Sequence, residues 1–259
     1  FRLIKRFTMY NRNYPFKIDC SIVKSSKKNR NRLIPEYNIE KSDVFNNPPT
    51  YEIEIELIHG DAVSIGADLC LLKMRDGFKQ ILSGLQKTNF PTSYKLQNEI
   101  GKQYLRLVNS SNPEADNDRR LRTRDFIGPS SISLELTNIV PPDNESTIPN
   151  INMPYTVTEK ADGIRKLLFI DGSGKIWLID VNMNIQFTGT QIKEEDYYGT
   201  ILDGEHVLHN KDGMFINNYL VFDLYYIGDE DYRGYPLLKI ENLKYDNPKW
   251  IKQNLDTIH

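Results

Sequence analysis

The feature that most constrains this chain is the strict alternation of acidic and apolar residues within the segment Thr50 to Ile58. Successive side chains of a β-strand point to opposite faces, so this segment predicts a strand with one acidic face and one apolar face. The segments Arg2 to Tyr10 and Phe16 to Val23 are also typical of strands, and the second of them alternates in the same way. The first 58 residues are therefore predicted to form β structure.

Helical spacing replaces this alternation after residue 64. Apolar residues recur on one helical face over residues 64–87, and a second helical pattern runs from Ser93 to Val108, beyond the break at Pro91. A segment rich in Ser, Asn, Asp and Pro follows and indicates a linker. We therefore predict a domain boundary between residues 112 and 113, with a second β-rich domain after it.

Composition excludes several classes of protein. The 259 residues carry 33 Lys and Arg against 35 Asp and Glu, so the chain is not a bulk polycation and any nucleic-acid contact must come from local clusters. Its apolar runs are far shorter than the ~20 residues of a membrane helix, so no membrane association is expected. Cys20 and Cys70 are too few for a disulfide framework, which favours a reducing compartment.

A lysine motif lies between two predicted strands, Tyr155 to Glu159 and Lys166 to Ile170. It reads Lys160-Ala161-Asp162-Gly163-Ile164-Arg165. A lysine nucleophile needs a deprotonated amine, and a strand end that opens on a tight turn can direct that amine into a cleft. Arg165 can hold a phosphate or orient a sugar hydroxyl. The alternative is an ordinary surface β-turn with a solvated lysine.

Two further strand motifs follow in order. Leu202-Asp203-Gly204-Glu205 places a carboxylate, Glu205, where it could receive a ribose hydroxyl or help to hold a metal. Val221-Phe222-Asp223-Leu224 places an aromatic ring, Phe222, where a base could stack on it. Each motif alone is more often a plain core strand, but their order and spacing with the lysine motif favour a shared site.

The three motifs together resemble the covalent nucleotidyltransferases, which include mRNA guanylyltransferases and ATP-dependent polynucleotide ligases. The resemblance covers roughly residues 125–235. It implies that Lys160 attacks the α-phosphate of a nucleoside triphosphate and that a divalent metal neutralises the pyrophosphate that leaves. It also implies a nucleotide-binding set around the lysine, with ribose contacts and a stacked base: Asp162, Gly163, Arg165, Glu205 and Phe222.

The acidic strand supports a second resemblance. Same-face glutamates lie ~7 Å apart and repel each other unless a cation sits among them or the face is open to water. Glu-x-Glu-x-Glu together with a Lys-Arg pair and an Asp-x-Ser resembles the triphosphate tunnel metalloenzymes, the RNA triphosphatases of fungal and large-DNA-virus capping systems. The resemblance implies that Glu52, Glu54 and Glu56 hold Mg²⁺ or Mn²⁺. It implies phosphate binding by basic and polar side chains: Lys5, Arg6, Lys17, Asp19 and Ser21.

The order of the two motif sets resembles the mRNA capping enzymes of poxviruses and giant viruses. The implied fold is α+β: a partial antiparallel β tunnel over residues 1–112, then over residues 113–259 a nucleotidyltransferase domain of the ligase and capping type, unrelated to ATP-grasp folds. The implied substrates are 5′-triphosphate RNA and GTP. A downstream methyltransferase domain, a regulatory subunit and a location in cytoplasmic viral factories and virions are further expectations, as is a longer parent polypeptide.

Two other interpretations remain open. The chain could be an ATP-dependent DNA or RNA ligase with an adenylylated lysine, or an inactive fragment that acts as a binding or scaffold module. Two lesser features receive plainer predictions. His206-x-x-His209 is expected to be an ordinary strand-end pair, and the basic run Arg119 to Arg124 is expected to be a solvated charge run rather than an RNA guide.

Overall fold

The computed structural model contains two compact units, Phe1–Leu85 and Gln86–His259. The structure describes residues 1–29, 32–33, 35–112, 114–141, 148–152, 156–228 and 230–237. Tyr155, the predicted start of the strand before the lysine motif, lies outside the described residues, as does the end of the predicted second domain from residue 238. No helix in the described ranges combines the length and apolar composition needed to span a bilayer.

The first unit is built on a three-stranded antiparallel sheet whose strand order is β1-β2-β5. Its strands confirm the predicted β structure, and a small hairpin, β3-β4, lies between the second and third of them. Two helices follow the sheet where one continuous helical pattern was predicted. The elements are β1 (Arg2–Tyr10), β2 (Phe16–Ser25), β3 (Lys28–Asn29), β4 (Arg32–Leu33), β5 (Thr50–Leu57), α1 (His59–Ile65) and α2 (Ala67–Gln86).

The register of this sheet separates a polar face from an apolar face. Arg6 pairs with Ser21, which pairs with Glu52, so these three positions share one face. Lys5 pairs with Ile22 on the other face, where its Nζ lies 5.5 Å from the centroid of the Phe7 ring. The predicted Lys-Arg pair is therefore divided between the two faces, because neighbouring residues of a strand point in opposite directions.

The second unit is a six-stranded antiparallel sheet with strand order β11-β10-β9-β6-β7-β8. Its elements confirm a mixed α and antiparallel β domain. They are α3 (Tyr94–Val108), β6 (Ile164–Ile170), β7 (Lys175–Asp180), β8 (Ile185–Gln191), β9 (Ile201–His209), β10 (Phe215–Ile227) and β11 (Glu230–Asp231). Short 3₁₀ turns cover Thr123–Asp125, Leu136–Asn138 and Glu195–Tyr197.

The core of the second unit forms between α3 and this sheet. Ser93 caps the helix by accepting a hydrogen bond from the Leu96 amide at 3.2 Å, as expected for a Ser N-cap. The buried face of α3, which includes Ile100 and Tyr104, packs in one cluster with Trp177 of the sheet. The helix thus belongs to the second unit, whereas the sequence analysis had assigned it to the end of the first domain.

The segment before β6 differs from the expected strand. Residues 156–163 have no regular secondary structure, and β6 begins at Ile164. Lys160 therefore lies on an irregular segment that leads into a strand, and only the strand after the motif forms as predicted.

Candidate nucleotidyl-transfer site

The site lies where β6, β9 and β10 pair in the centre of the six-stranded sheet. Arg165 of β6 lies opposite Glu205 of β9, and Leu220 of β10 lies opposite the same glutamate. Arg165 and Glu205 therefore share a face, which also carries Asp203 two residues earlier on β9. The pairing confirms that the lysine motif and the Asp-Gly-Glu motif are neighbours in the fold.

Arg165 makes three side-chain hydrogen bonds within the site. Its Nε donates to Asp203 Oδ1 at 3.1 Å and its Nη2 to Asp203 Oδ2 at 2.5 Å, while Nη1 donates to the Pro129 carbonyl at 2.5 Å. Asp203 is fully buried, and its hydrogen bonds raise the pKa of Arg165. Three of the five guanidinium N–H groups are thus used within the protein, which leaves two for a ligand.

Two aromatic rings flank this guanidinium. The Cζ atom of Arg165 lies 5.5 Å from the centroid of Phe126 and 5.7 Å from that of Phe222, within the range of cation–π contacts. Phe222 is an extra residue on β10, because Val221 pairs with Gly204 while Asp223 already pairs with Asp203. Such a bulge redirects a side chain, and Phe222 remains 37% exposed.

Asp203 has a third partner in Tyr225. The Tyr225 hydroxyl donates to Asp203 Oδ2 at 2.5 Å. Burial, followed by the hydrogen bond to Asp203, raises the pKa of Tyr225, so its hydroxyl remains protonated and able to donate. The carboxylate therefore receives three hydrogen bonds, two from an arginine and one from a tyrosine. A buried charge with this many partners fixes the orientation of Arg165.

Glu205 fixes the lysine turn. Its Oε1 accepts a hydrogen bond from the Gly163 amide at 3.1 Å. Gly163 also approaches β9 so closely that a Cβ atom there would lie 2.6 Å from the His206 carbonyl oxygen. Only glycine fits at this point. The glutamate and the glycine therefore tie the Lys-x-Asp-Gly segment to the strand that carries Asp203.

Lys160 is exposed and paired with its own motif. Its Nζ donates to Asp162 Oδ1 at 2.7 Å, and the two side chains are 85% and 95% exposed. This hydrogen bond raises the pKa of Lys160 and lowers the pKa of Asp162, while Lys211 contributes a smaller lowering to Asp162. The amine is therefore protonated at neutral pH. It is accessible to a ligand, but it must leave Asp162 and lose a proton before it can act as a nucleophile.

Other polar side chains of this sheet region are ordinary structural groups. Lys166 is buried and donates to Gln186 Oε1 at 2.8 Å, and burial lowers the pKa of the lysine. His206 Nε2 lies 2.9 Å from Asn217 Oδ1, and burial lowers the pKa of this histidine. The His209 ring packs at 5.7 Å from the Phe215 ring. Neither histidine joins a metal-binding cluster in the described residues.

The polar face of the first unit holds a ladder of ion pairs. Arg2 pairs with Glu52, and the Arg6 Nη2 to Glu54 Oε2 distance is 2.8 Å. Lys17 Nζ lies 2.9 Å from Glu56 Oε2. Each predicted glutamate thus has a basic partner on the same face, which removes the repulsion along the strand.

Arg6 is the centre of this ladder. Besides Glu54 it contacts Asp19 at 3.2 Å and Ser21 Oγ at 3.0 Å, and both of these β2 side chains are buried. Of the five predicted phosphate-binding residues, Arg6, Lys17, Asp19 and Ser21 come together here. Lys5 alone lies on the opposite face.

A metal does not fit either region as described. Among the described residues no three His, Cys, Asp or Glu side chains come together as a ligand group. The carboxylates of Glu52, Glu54 and Glu56 are spread along the strand and are each held by a cation. In the second unit, Asp203 is saturated by Arg165 and Tyr225.

Three residues of the site had no role in the sequence analysis. Phe126 precedes the lysine motif by more than thirty residues, Asp203 was only part of a motif, and Tyr225 was part of an apolar strand. The buried aspartate carried a usable signal, because a charged residue within an apolar strand needs a partner. Phe126 gave no local signal, since it lies outside the three motifs and its contact with Arg165 is tertiary.

The second unit brings together the exposed Lys160 turn, Arg165 and the buried Asp203. Comparison with known proteins identifies the family to which this arrangement belongs. Residues 93–244 match the family described as mRNA capping enzyme, catalytic domain, and the chain belongs to that family. The match begins at the start of α3, which agrees with the assignment of this helix to the second unit.

The chain is also similar to one viral protein. Over 187 residues the chain is 27% identical to the "Probable mRNA-capping enzyme" of Acanthamoeba polyphaga mimivirus, a match that covers 72% of this chain. It covers only 13% of that relative, so the chain corresponds to a small part of the relative's length. The two comparisons confirm the resemblance to giant-virus capping enzymes that the motifs had indicated.

Proposed function

We propose that the second unit is an mRNA guanylyltransferase that transfers GMP from GTP to the 5′ end of RNA through Lys160. The observation that carries the proposal is the position of this lysine, 85% exposed, on the turn that Glu205 holds through the Gly163 amide. Arg165 and Phe222 lie on the strands beside that turn. The membership in the capping-enzyme family supports guanylyl transfer over the other reactions of the same motifs.

The reaction consists of two displacements at one phosphorus. The neutral amine of Lys160 attacks the α-phosphorus of GTP, a P–N bond forms, the bond to the β-phosphate oxygen breaks and pyrophosphate leaves. The amine loses a proton to the surrounding water in this step. A terminal phosphate oxygen of diphosphate-ended RNA then attacks the same phosphorus, the P–N bond breaks, and the lysine takes up a proton again.

The neighbouring residues bind and orient the nucleotide in this proposal. The two free N–H groups of Arg165 and the second carboxylate oxygen of Glu205 are available to the ribose hydroxyls. Phe222, which is 37% exposed, offers a stacking surface for the guanine. Asp162 holds the lysine until a nucleotide binds, because its carboxylate is the amine's hydrogen-bond acceptor in the free protein.

The proposal is tested by incubating the full chain with α-labelled GTP or α-labelled ATP and separating the products on denaturing gels. We expect a label from GTP that survives denaturation and is absent in Lys160→Arg. Lys166→Arg serves as the matched control, since this neighbouring lysine is buried on the other face. A label from ATP alone would establish the ligase reading, and no label from either nucleotide would support an inactive scaffold.

A second candidate activity concerns the polar face of the first unit. We propose that it binds the 5′-triphosphate of RNA before the γ-phosphate is removed. Arg6 supports this because it lies among buried polar groups and has carboxylates for orientation, an arrangement that presents a fixed guanidinium to an anion. Phosphate release from γ-labelled RNA, with and without Mg²⁺ or Mn²⁺, tests it. Equal phosphate release by the wild-type protein and by the Arg6→Gln variant would contradict this second proposal.

The remaining expectations concern additional domains, partners and location. We propose that the parent polypeptide carries a methyltransferase domain, acts with a regulatory subunit and works in cytoplasmic viral factories and in the virion. The large uncovered share of the mimivirus relative leaves room for such additional domains. Sequencing the parent gene and locating its product in infected cells test these points.

A further inference from the structure

Three exposed arginines lie on the short segment before the site. Arg120, Arg122 and Arg124 are exposed, and in the described part of the chain none of the three forms an ion pair. We call residues 119–125 the arginine turn. The net charge of the whole chain is −2, so three unpaired cations within five residues form a local positive surface on a nearly neutral protein.

The two acidic residues that flank the arginines, Asp118 and Asp125, are already paired with other cations. Arg119 binds Asp125 through two hydrogen bonds of 2.6 and 2.7 Å. Asp118 accepts from Arg106 at 3.1 Å and lies 3.5 Å from Lys102. These pairs engage the carboxylates beside the turn, so the three exposed guanidinium groups keep their charge available to a ligand.

The arginine turn is held rigidly. The Asp125 carboxylate also accepts a hydrogen bond from the Arg122 amide at 2.7 Å, and the Asp125 carbonyl accepts one from the hydroxyl of the fully buried Tyr104 at 2.7 Å. Leu121 packs against the core, close to Gly101 of α3. A rigid turn loses little conformational entropy when a ligand binds its arginines.

The turn leads directly into the wall of the nucleotide site. Phe126 follows Asp125, and its ring lies against the Arg165 guanidinium. The Pro129 carbonyl accepts a hydrogen bond from Arg165, and a Cβ atom at Gly128 would lie 2.7 Å from Arg165 Nη2. The arginine turn is thus followed directly by residues 126–129, which contact Arg165.

We propose that the arginine turn is the docking surface for the phosphate backbone of the RNA whose 5′ end is to be capped. The inference deepens the proposed function and rests on it. A capping enzyme must accept transcripts of any sequence, and guanidinium contacts to phosphates carry no base information. Exposed, separated arginines suit an extended polyanion, whereas the convergent groups around Arg165 suit a single nucleotide. The sequence favoured a solvated charge run over an RNA guide, and the proposal takes the RNA guide.

The test uses the full chain and a fluorescent 20-nucleotide RNA with a 5′-diphosphate. The variant is Arg120→Gln/Arg122→Gln/Arg124→Gln, and a matched control removes three exposed lysines elsewhere, Lys79→Gln/Lys95→Gln/Lys193→Gln. Binding is measured by anisotropy over a range of salt concentrations. Each phosphate contact to single-stranded nucleic acid contributes about 0.7 to the slope of log K against log salt. The arginine variant should lose about 2 from this slope, and the control should lose nothing comparable.

A second readout separates this inference from the proposed function. Labelling of Lys160 by GTP needs no RNA, so it should be the same in the wild type and the arginine variant, while KM for RNA in cap transfer rises at least tenfold. Equal salt slopes and equal KM values for the arginine variant and the wild type would overturn the docking proposal, even if Lys160 is labelled. Failure of labelling in the wild type would overturn the proposed function, while the binding result would still stand on its own.

Discussion

Replacing Asp203 by Asn is the most informative perturbation of the site. The carboxylate is fully buried and holds Arg165, whose side chain is 26% exposed. Removing one partner of a buried ion pair costs ~3–5 kcal/mol, because the other charge stays without compensation. Arg165 keeps the Pro129 carbonyl and some contact with water, so we expect the lower end, about 3 kcal/mol.

The assays are urea unfolding and covalent labelling with GTP. With an m value of ~2 kcal/mol/M, a loss of this size lowers the unfolding midpoint by about 1.5 M. Labelling per folded molecule should fall about 100-fold, since a shift of the order of 1 Å in a positioning group has that effect. Both losses share one cause, because Asp203 orients Arg165 and stabilises the sheet through it.

Asp171→Asn is the matched control. Asp171 is also buried, but its carboxylate accepts only from Ser173, the Lys175 amide and the Trp177 indole at 2.8 Å, all outside the site. We expect ~1–3 kcal/mol of destabilisation from its unsatisfied donors and unchanged labelling per folded molecule. An Asp203→Asn protein as stable and as readily labelled as the wild type would refute the reasoning, as would an equal loss of labelling in the control.

Three further predictions concern the turn that carries Lys160 and the residues that hold the arginine turn. Gly163→Ala should reduce covalent labelling at least tenfold, because its Cβ would meet the His206 carbonyl oxygen, whereas Gly172→Ala, with no heavy atom closer than 4.0 Å, should label normally; equal labelling of the two would contradict this. Asp162→Asn removes the carboxylate that raises the pKa of Lys160, so the rise of labelling with pH should move to lower pH; an unmoved profile would show that the ion pair does not control the amine. Tyr104→Phe removes a buried hydrogen bond to Asp125 and should cost about 1 kcal/mol in urea unfolding; an unchanged unfolding midpoint would exclude this bond as a support of the arginine turn.

Periodicity identified the elements that local sequence determines. The strands of the first unit and helix α3 form where alternation and helical spacing placed them, because burial of one face fixes such elements. The strand expected at 155–159 does not form in the described residues: residues 156–163 are irregular, and the Gly163 amide bonds to the Glu205 side chain of β9. The local sequence of residues 156–163 does not reveal such a tertiary hydrogen bond.

The order of the motifs predicted which motif residues lie close together. It did not predict the contacts that these residues make outside the motifs. Arg165, Glu205 and Phe222 come together as expected because β6, β9 and β10 are neighbours in the sheet. The contact between Arg165 and the Pro129 carbonyl was not predictable, since it depends on how the segment that contains Pro129 folds against the strand. In the first unit, strand parity alone could have separated Lys5 from Arg6.

The central claim is that Lys160 carries the nucleotide. The most direct measurement is mass spectrometry of the full chain after incubation with GTP, followed by peptide mapping under conditions that preserve phosphoramidates. Our account predicts one added GMP on the peptide that contains Lys160, absent after treatment with acid and absent in Lys160→Arg. A nucleotide found on any other residue, or an undiminished adduct in Lys160→Arg, would contradict it.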